Sequence, residues 1–211
     1  MVEKKTSPQS VTEVNTAFNT TERRSTLESC ACPACVRPVR DAAREVYGRY
    51  SLFACAACGL QFWEPRQMPD ASWYEQMYGG RDQANMPLEP GHRYFLSDPL
   101  APRGGDLLDI GCGTGNFGVT AQRAGYRVTG IELDRAAARF AKEQMGIKEI
   151  FPLSVGDFVR QSGGKRFDIV TFFEVLEHQT EPVEFLQKVE SKSLPEAARN
   201  SGAECAKPRA G

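Results

Sequence analysis

The stretch that most constrains the fold is LLDIGCGTGNF, from Leu107 to Phe117, where an apolar run contains one acid and glycine then recurs at every second position. An apolar run that leads directly into glycines is typical of a buried parallel strand that turns tightly into a helix. Glycines let the backbone of such a turn approach a ligand, and the N–H groups that open the helix face that ligand. The stretch therefore predicts a nucleotide-type binding loop, with a turn that merely needs glycines as the alternative.

The sequence after this loop alternates between short apolar runs and amphipathic segments. We expect strands in DLLDI, YRVTGIEL, EIFPLSV and FDIVTFFEVL, and helices in FGVTAQRAG, RAAARFAKEQMG, DFVRQSG and EPVEFLQKVE. Strands that alternate with helices indicate βαβ units and a parallel sheet. The predicted fold class is α/β, a Rossmann-like doubly wound parallel sheet of which about four strands are readable.

Two kinds of ligand compete for the glycine loop. Gly113, Gly115 and Gly118 match the dinucleotide fingerprint. Asp109 followed by Gly111, Gly113 and Gly115 instead suits S-adenosylmethionine. A pyrophosphate is negatively charged, so a carboxylate at the mouth of its loop would repel it. S-adenosylmethionine offers an ammonium and a sulfonium, and the position of Asp109 therefore favours it.

Acids further along the chain support a nucleoside ligand. Glu132 closes the second strand about 20 residues past the loop, the place for an acid that binds ribose hydroxyls. A solvated acid at a strand end is the alternative. Asp157 is placed at the end of the third strand, where it either accepts from an adenine amino group, with Phe158 against the ring, or caps a helix.

Four segments carry a resemblance to a known family. LLDIGCGTGNF, VTGIELD, VGDF and FDIVTFFEVLEH, in this order, resemble the class I S-adenosylmethionine-dependent methyltransferases over residues 106–189. The resemblance implies that the methionine moiety is held by Asp109, Gly111, Gly113 and Gly115. It also implies that Glu132 holds the ribose and Asp157 the adenine. The family continues with a PGG-like turn and three further strands, which are not readable after residue 190. We therefore expect a shortened chain with an irregular tail over residues 191–211, and an open sheet edge that invites a partner or self-association.

The segment EVLEH brings Glu174, Glu177 and His178 to the end of the fourth strand. Ligands of open α/β sheets bind at such ends, so Glu174 is a candidate cofactor-binding residue. His178 titrates near neutrality and is a candidate general base, whereas the alternative is that the segment only shapes the loop. No dedicated base is obligatory for methyl transfer, because proximity and alignment supply much of the acceleration.

Two C-x-x-C pairs precede the glycine loop, Cys32 with Cys35 and Cys55 with Cys58. A spacer of about twenty residues between such pairs matches a tetrahedral zinc site with four cysteine ligands, which leaves no open position for catalysis. Cys30 is an alternative to Cys32. The segment resembles a zinc ribbon over residues 30–66, whereas disulfides and a thioredoxin-like redox pair are disfavoured by a reducing compartment and by the lack of a βαβ context.

The remaining segments complete the predicted organisation. Residues 1–29 have no apolar signal region and form a polar leader that we expect to be flexible. No run approaches the ~20 apolar residues of a membrane span. The predicted location is therefore the cytoplasm. Residues 67–104 form a linker, and residues 105–190 form the cofactor-binding domain. The linker aromatics either cover the acceptor as a lid or pack one domain on the next; they are Trp73, Tyr74, Tyr78, Tyr94 and Phe95.

The predicted function is S-adenosylmethionine-dependent methylation of a small-molecule or sugar acceptor, at oxygen or carbon. RNA methylation is an alternative, because five arginines make the ribbon basic: Arg37, Arg40, Arg44, Arg49 and Arg66. The net charge of -1, and FEVLEH in place of an NPPY-type motif, argue against a nucleic-acid partner. A non-catalytic fragment, with a zinc ribbon on an incomplete cofactor domain, is the alternative from another class.

Overall fold

The computed structural model describes residues 30–67 and 87–193. The predicted leader, the linker aromatics Trp73, Tyr74 and Tyr78, and the predicted tail beyond Ser193 lie outside the described residues. No helix in the described part of the chain is long and apolar enough to cross a membrane.

Residues 30–67 form two small antiparallel sheets. The first pairs β1 (Cys30–Ala31) with β2 (Pro38–Val39), and the second has the order β3 (Glu45–Tyr47), β4 (Tyr50–Ala54), β5 (Gln61–Glu64). The core is small and comprises two cysteines and three apolar side chains: Cys32, Cys55, Val39, Phe53 and Phe62. So little buried apolar surface is typical of a unit that needs a metal to fold.

Residues 105–193 form a sheet of four parallel strands in the order β8-β7-β6-β9. The strands are β6 (Gly105–Ile110), β7 (Tyr126–Ile131), β8 (Glu149–Phe151) and β9 (Ile169–Thr171). Five helices accompany them: α1 (Pro90–Ser97), α2 (Asn116–Arg123), α3 (Arg135–Glu143), α4 (Val155–Gln161) and α5 (Pro182–Lys192). The predicted Rossmann-like fold class is confirmed.

Helices cover both faces of this sheet. Leu107 belongs to a buried cluster with residues of α2 and α3, whereas its neighbour Leu108 belongs to a second cluster with residues of α4 and α5. Successive side chains of a strand point to opposite faces, so β6 is buried on both sides. This explains why the adjacent residues Leu107 and Leu108 are both apolar rather than one apolar and one polar.

Two strands are shorter than the sequence indicates. The predicted third strand ends at Phe151, because Pro152 follows and Ser154 caps α4. The predicted fourth strand ends at Thr171, and the apolar residues after it form a loop and a 3₁₀ turn (Leu176–His178). An apolar run predicts burial, and burial alone does not distinguish a strand from a loop that packs against the core.

The β9 strand lies at one edge of the described sheet, as the sequence predicts. Beyond it, Phe167 forms an isolated parallel bridge with Ser193, and its N–H donates to the carbonyl of Lys192 at 2.8 Å. Lys192 is almost fully buried, and its ammonium donates to the carbonyl of Gly163 at 2.8 Å. The end of α5 is therefore fixed beside this edge.

Candidate functional site

A cavity of about 960 Å³ opens at the carboxyl ends of β6, β7 and β9. Six of the residues predicted for the cofactor or catalytic site line it: Asp109, Gly111, Gly113, Glu132, Glu174 and His178. Their convergence follows from the parallel sheet, in which the carboxyl ends of neighbouring strands meet at one edge. Three other predicted residues, Gly115, Asp157 and Phe158, are not part of the cavity lining.

Gly111, Gly113 and Gly115 have positive φ angles of 73°, 51° and 86°. Beyond this shared backbone conformation, their surroundings favour glycine for different reasons. A Cβ atom at Gly111 would lie 2.6 Å from Val175 Cγ2, and one at Gly115 would lie 2.8 Å from Ile147 Cδ1. At Gly113 a Cβ atom would meet no described atom within 4 Å. Gly111 and Gly113 both line the cavity, but only at Gly113 does a side chain have open space, while Gly115 is the N-cap of α2 and permits close packing.

Asp109 is a buried carboxyl group at the floor of the cavity, with 3% of its surface exposed. The hydroxyl of Thr171 donates to its Oδ1 atom at 2.8 Å. Burial raises the pKa of Asp109 to about 7; the Thr171 hydrogen bond lowers it, and the nearby charge of Glu132 raises it. A cationic group in the cavity would favour the ionised form of this carboxyl.

Glu132 ties the glycine loop to the next helix. Its Oε2 accepts from the N–H of Gly113 at 2.9 Å, and its Oε1 accepts from the N–H of Asp134 at 2.8 Å. Burial raises the pKa of Glu132, and the two backbone N–H groups lower it. Each carboxylate oxygen has a second lone pair, so this side chain retains acceptor capacity towards a hydroxyl group in the cavity.

Asp157 and Phe158 lie elsewhere than the sequence indicates. Asp157 is in the first turn of α4 rather than at a strand end, and the N-cap is Ser154, whose Oγ accepts from the Asp157 N–H at 3.1 Å. The Asp157 carboxylate accepts from the Ser154 hydroxyl at 2.6 Å and pairs with Arg160. Phe158 packs in the core against Phe151 and Phe167. Ser154 itself reaches the cavity wall in their place.

The loop from Phe173 to Gln179, which we call the cavity loop, forms another wall. Glu174 is exposed and has a φ angle of 52°, which side chains other than glycine rarely adopt. A hydrogen bond with Glu177 and the like charge of that group raise the pKa of Glu174. The N–H of His178 donates to the carbonyl of Val175 at 3.2 Å, so the imidazole is carried on a tight turn at the cavity.

His92 is a cavity residue that no sequence motif indicates. Its ring stacks on Phe117 with 4.8 Å between centroids and meets Phe173 edge-on at 4.6 Å. The Nδ1 atom accepts from the N–H of Glu89 at 3.1 Å, and burial lowers the pKa of the ring. The signal in the sequence is Pro90 at the start of a short helix, where Pro is preferred.

The described linker aromatics differ from each other. Phe95 packs against Phe117, Tyr126 and Phe173, whereas Tyr94 is 73% exposed. Phe95 therefore joins α1 to the sheet, in agreement with the packing alternative for that residue.

The four predicted metal ligands come together in residues 30–67. The Sγ atoms of Cys32, Cys35, Cys55 and Cys58 lie within 4.8 Å of one another, with 3.6 Å between Cys32 and Cys58 and 3.5 Å between Cys35 and Cys55. Tetrahedral zinc with Zn–S bonds near 2.3 Å places sulfur atoms about 3.8 Å apart. The cluster therefore fits such an ion, and Cys30 is not part of it.

The turns that carry the cysteines are alike. In one, the N–H of Val36 donates to the carbonyl of Cys32 at 2.9 Å, and in the other the N–H of Gly59 donates to the carbonyl of Cys55 at 2.8 Å. Burial raises the pKa of Cys55, but the N–H groups of Cys58 and Ala57, together with hydrogen bonds to the Cys35 and Cys58 side chains, lower it to about 7. One thiolate therefore forms readily, and a cation is what allows its neighbours to ionise as well.

Comparisons with known proteins place residues 82–198 in a family described as a methyltransferase domain. Two proteins named ubiquinone biosynthesis O-methyltransferase, from Xanthomonas axonopodis pv. citri (strain 306) and Methylobacterium sp. (strain 4-46), are 32% and 35% identical to this chain. The matches cover 51% and 45% of this chain and 46% and 40% of those relatives, so the chain spans less than half of their length. A TehB-like SAM-dependent methyltransferase from Corynebacterium glutamicum is 23% identical, with 58% of this chain and 66% of that chain covered and a TM-score of 0.41.

Proposed function

The chain belongs to the methyltransferase domain family, as the sequence motifs predict, and from this premise we propose that it transfers a methyl group from S-adenosylmethionine to a small-molecule acceptor. The names of the two relatives support an oxygen atom of a small molecule as the methylated position. Transfer to carbon, or to a sugar, remains within the same proposal.

The observation that carries this proposal is the pairing of Asp109 and Glu132 in one cavity beside the open backbone of Gly113. These two acceptors suit a ligand with a cationic amino acid end and a ribose, because carboxylates attract the ammonium and accept from hydroxyl groups. A dinucleotide would bring a pyrophosphate against the carboxylate of Asp109, which would repel it, whereas Glu132 suits the ribose of either cofactor. We infer that the cavity selects S-adenosylmethionine over NAD by charge.

The mechanism assigns most of the work to positioning. The bound cofactor supplies a methyl group already activated by its sulfonium. Asp109 would hold the amino acid end of the cofactor and Glu132 its ribose. Ser154 lies on the cavity wall, where we propose that the adenine binds. His178 and Glu174 lie on the cavity loop, where we propose that His178 accepts a proton from the acceptor.

We also propose that Cys32, Cys35, Cys55 and Cys58 hold a structural zinc ion. Four thiolates at tetrahedral spacing leave no coordination position for a substrate. The ion would supply folding free energy to a unit with a small apolar core.

Calorimetric titration of the zinc-loaded protein with S-adenosylmethionine, and separately with NAD, tests the cofactor. Gly113→Arg should abolish binding because its side chain enters the cavity. Gly146→Arg is the matched control, since Gly146 also has a positive φ and no described atom within 4 Å of a Cβ, but lies outside the cavity lining. Binding of NAD alone, or equal loss in both variants, would contradict the proposal.

A further inference from the structure

Arg66 joins the cysteine-rich unit to the two residues that follow the cavity loop. Its Nε donates to Oε1 of Glu64 at 3.0 Å, which fixes the guanidinium at the end of β5. Its Nη1 donates at 3.1 Å to both the carbonyl of Thr180 and Oε1 of Glu181. The side chain is only 29% exposed, so these contacts are partly shielded from water.

Thr180 and Glu181 occupy the junction between the cavity loop and α5. Glu181 is the N-cap of α5, and its side chain makes no capping hydrogen bond. Arg66 takes up that carboxylate instead. The guanidinium therefore holds the point at which the cavity loop ends, while β9 holds the point at which it begins.

Two features of the cavity loop favour a change of conformation when its end is not anchored. Glu174 has a left-handed backbone conformation, which costs free energy and persists only where the surrounding structure imposes it. Glu174 and Glu177 add like charge to the same turn. An anchor at Thr180 and Glu181 opposes relaxation of this turn.

The position of the Arg66 side chain depends on the folding of the cysteine cluster. Cys58 lies close before β5, and Arg66 follows β5 after Pro65, so a short segment connects the cluster to the anchor. The unit has five buried core residues, two of which belong to the cluster itself. Loss of the metal would remove much of what holds β5 in place.

We propose that Arg66 is a positioning residue that couples metal binding by the cysteine cluster to the shape of the cofactor cavity. The inference rests on the proposed zinc and S-adenosylmethionine sites. Coupling of two binding sites is reciprocal, so the metal should strengthen cofactor binding by the same factor by which the cofactor strengthens metal binding.

The test measures S-adenosylmethionine affinity by calorimetry with the metal present and after chelation, in the wild type, Arg66→Ala and Arg40→Ala. Chelation should weaken binding in the wild type by about fivefold or more. Metal-loaded Arg66→Ala should already show that weakening and lose little further on chelation. Arg40→Ala, which removes an exposed arginine of the same unit, should behave as the wild type.

Three further measurements make the outcome decisive. Zinc content must remain at the wild-type level in Arg66→Ala, and Arg66→Lys should recover part of the coupling, because an ammonium donates to these acceptors without the guanidinium geometry. Hydrogen exchange of residues 173–181 should rise on chelation and in Arg66→Ala. If the wild type binds no cofactor, the proposed function fails, while exchange still decides the coupling. Unchanged exchange in Arg66→Ala would overturn the inference.

Discussion

Thr171 Oγ1 lies 2.8 Å from Asp109 Oδ1, and the two residues are directly paired across the parallel strands β9 and β6. Both side chains are nearly fully buried. One hydroxyl donor therefore supports a carboxyl group that has lost most of its water. This places a group that titrates near neutrality under the proposed cofactor amine.

Asp109→Asn should stabilise the ligand-free protein at pH 8.5 while weakening S-adenosylmethionine binding. The pKa of this group is about 7 in the folded protein against 3.8 ordinarily, so the folded state holds the extra proton between these values. Stability from this group is therefore lost as pH rises from about 4 to 7, by an amount of at most about 4 kcal/mol. Urea denaturation at pH 5.5 and 8.5 measures the difference.

The matched control is Asp106→Asn on the same strand. The hydrogen bond from Arg127 holds the pKa of Asp106 below its usual range, so its stabilisation is present at neutral pH and lost as pH falls through the folded pKa. This variant should be destabilised at pH 8.5. The same pH trend in both variants would contradict the assignment of the buried carboxyl.

Gly113→Ala and Gly115→Ala should separate cofactor binding from stability. Alanine at Gly113 meets no described atom within 4 Å, so we expect a loss of about 1 kcal/mol from its positive φ and weaker cofactor binding. Alanine at Gly115 would approach Ile147 and Ala141 to 2.8 and 3.0 Å, which adds overpacking to the same strain. Thermal denaturation and calorimetry should rank Gly115→Ala as the less stable variant.

Much of this arrangement follows from the sequence because the strands are buried on both faces. Such strands are continuous apolar runs, and the acids after them must meet at one sheet edge. Glu132 was predicted on this basis, whereas Asp109, which lies within β6, was predicted from its charge beside the glycine loop; both line the cavity. The cysteine spacing is equally direct, since two short turns bring four thiols together.

The rest depends on contacts that spacing does not encode. Phe173 reads as part of a strand, yet it lies in the cavity loop and packs against the ring of His92. His92 itself precedes the sheet by more than ten residues, and its other ring partner is Phe117 on α2. Asp157 was misplaced because Ser154, three residues earlier, is the helix cap.

Val36→Gly should stabilise the metal-loaded protein by about 1 kcal/mol. Val36 has a φ angle of 62°, although it is β-branched, while the equivalent position of the second turn is Gly59 at 77°. Val36 is 77% exposed, so its removal costs little packing. Chemical denaturation with zinc present measures the gain, and Gly59→Val should produce a loss. A destabilised Val36→Gly protein would show that the valine side chain contributes packing to the cluster.

His92 should remain neutral below the pH at which a solvated histidine takes up a proton. Burial lowers its pKa from 6.5, the charge of Glu89 raises it, and the charge of Arg93 lowers it. Below about pH 6.5 the unfolded chain binds this proton and the folded chain does not. The free energy of unfolding should therefore fall as pH decreases from 6.5 towards the folded pKa, and it should not depend on this group above pH 6.5. The chain has 2 histidines, so NMR titration of the ring resonances can follow each one separately. His92→Phe, which keeps an aromatic ring between Phe117 and Phe173, assigns the signals and should flatten the stability profile over this pH range; an unchanged profile would place the titrating group elsewhere.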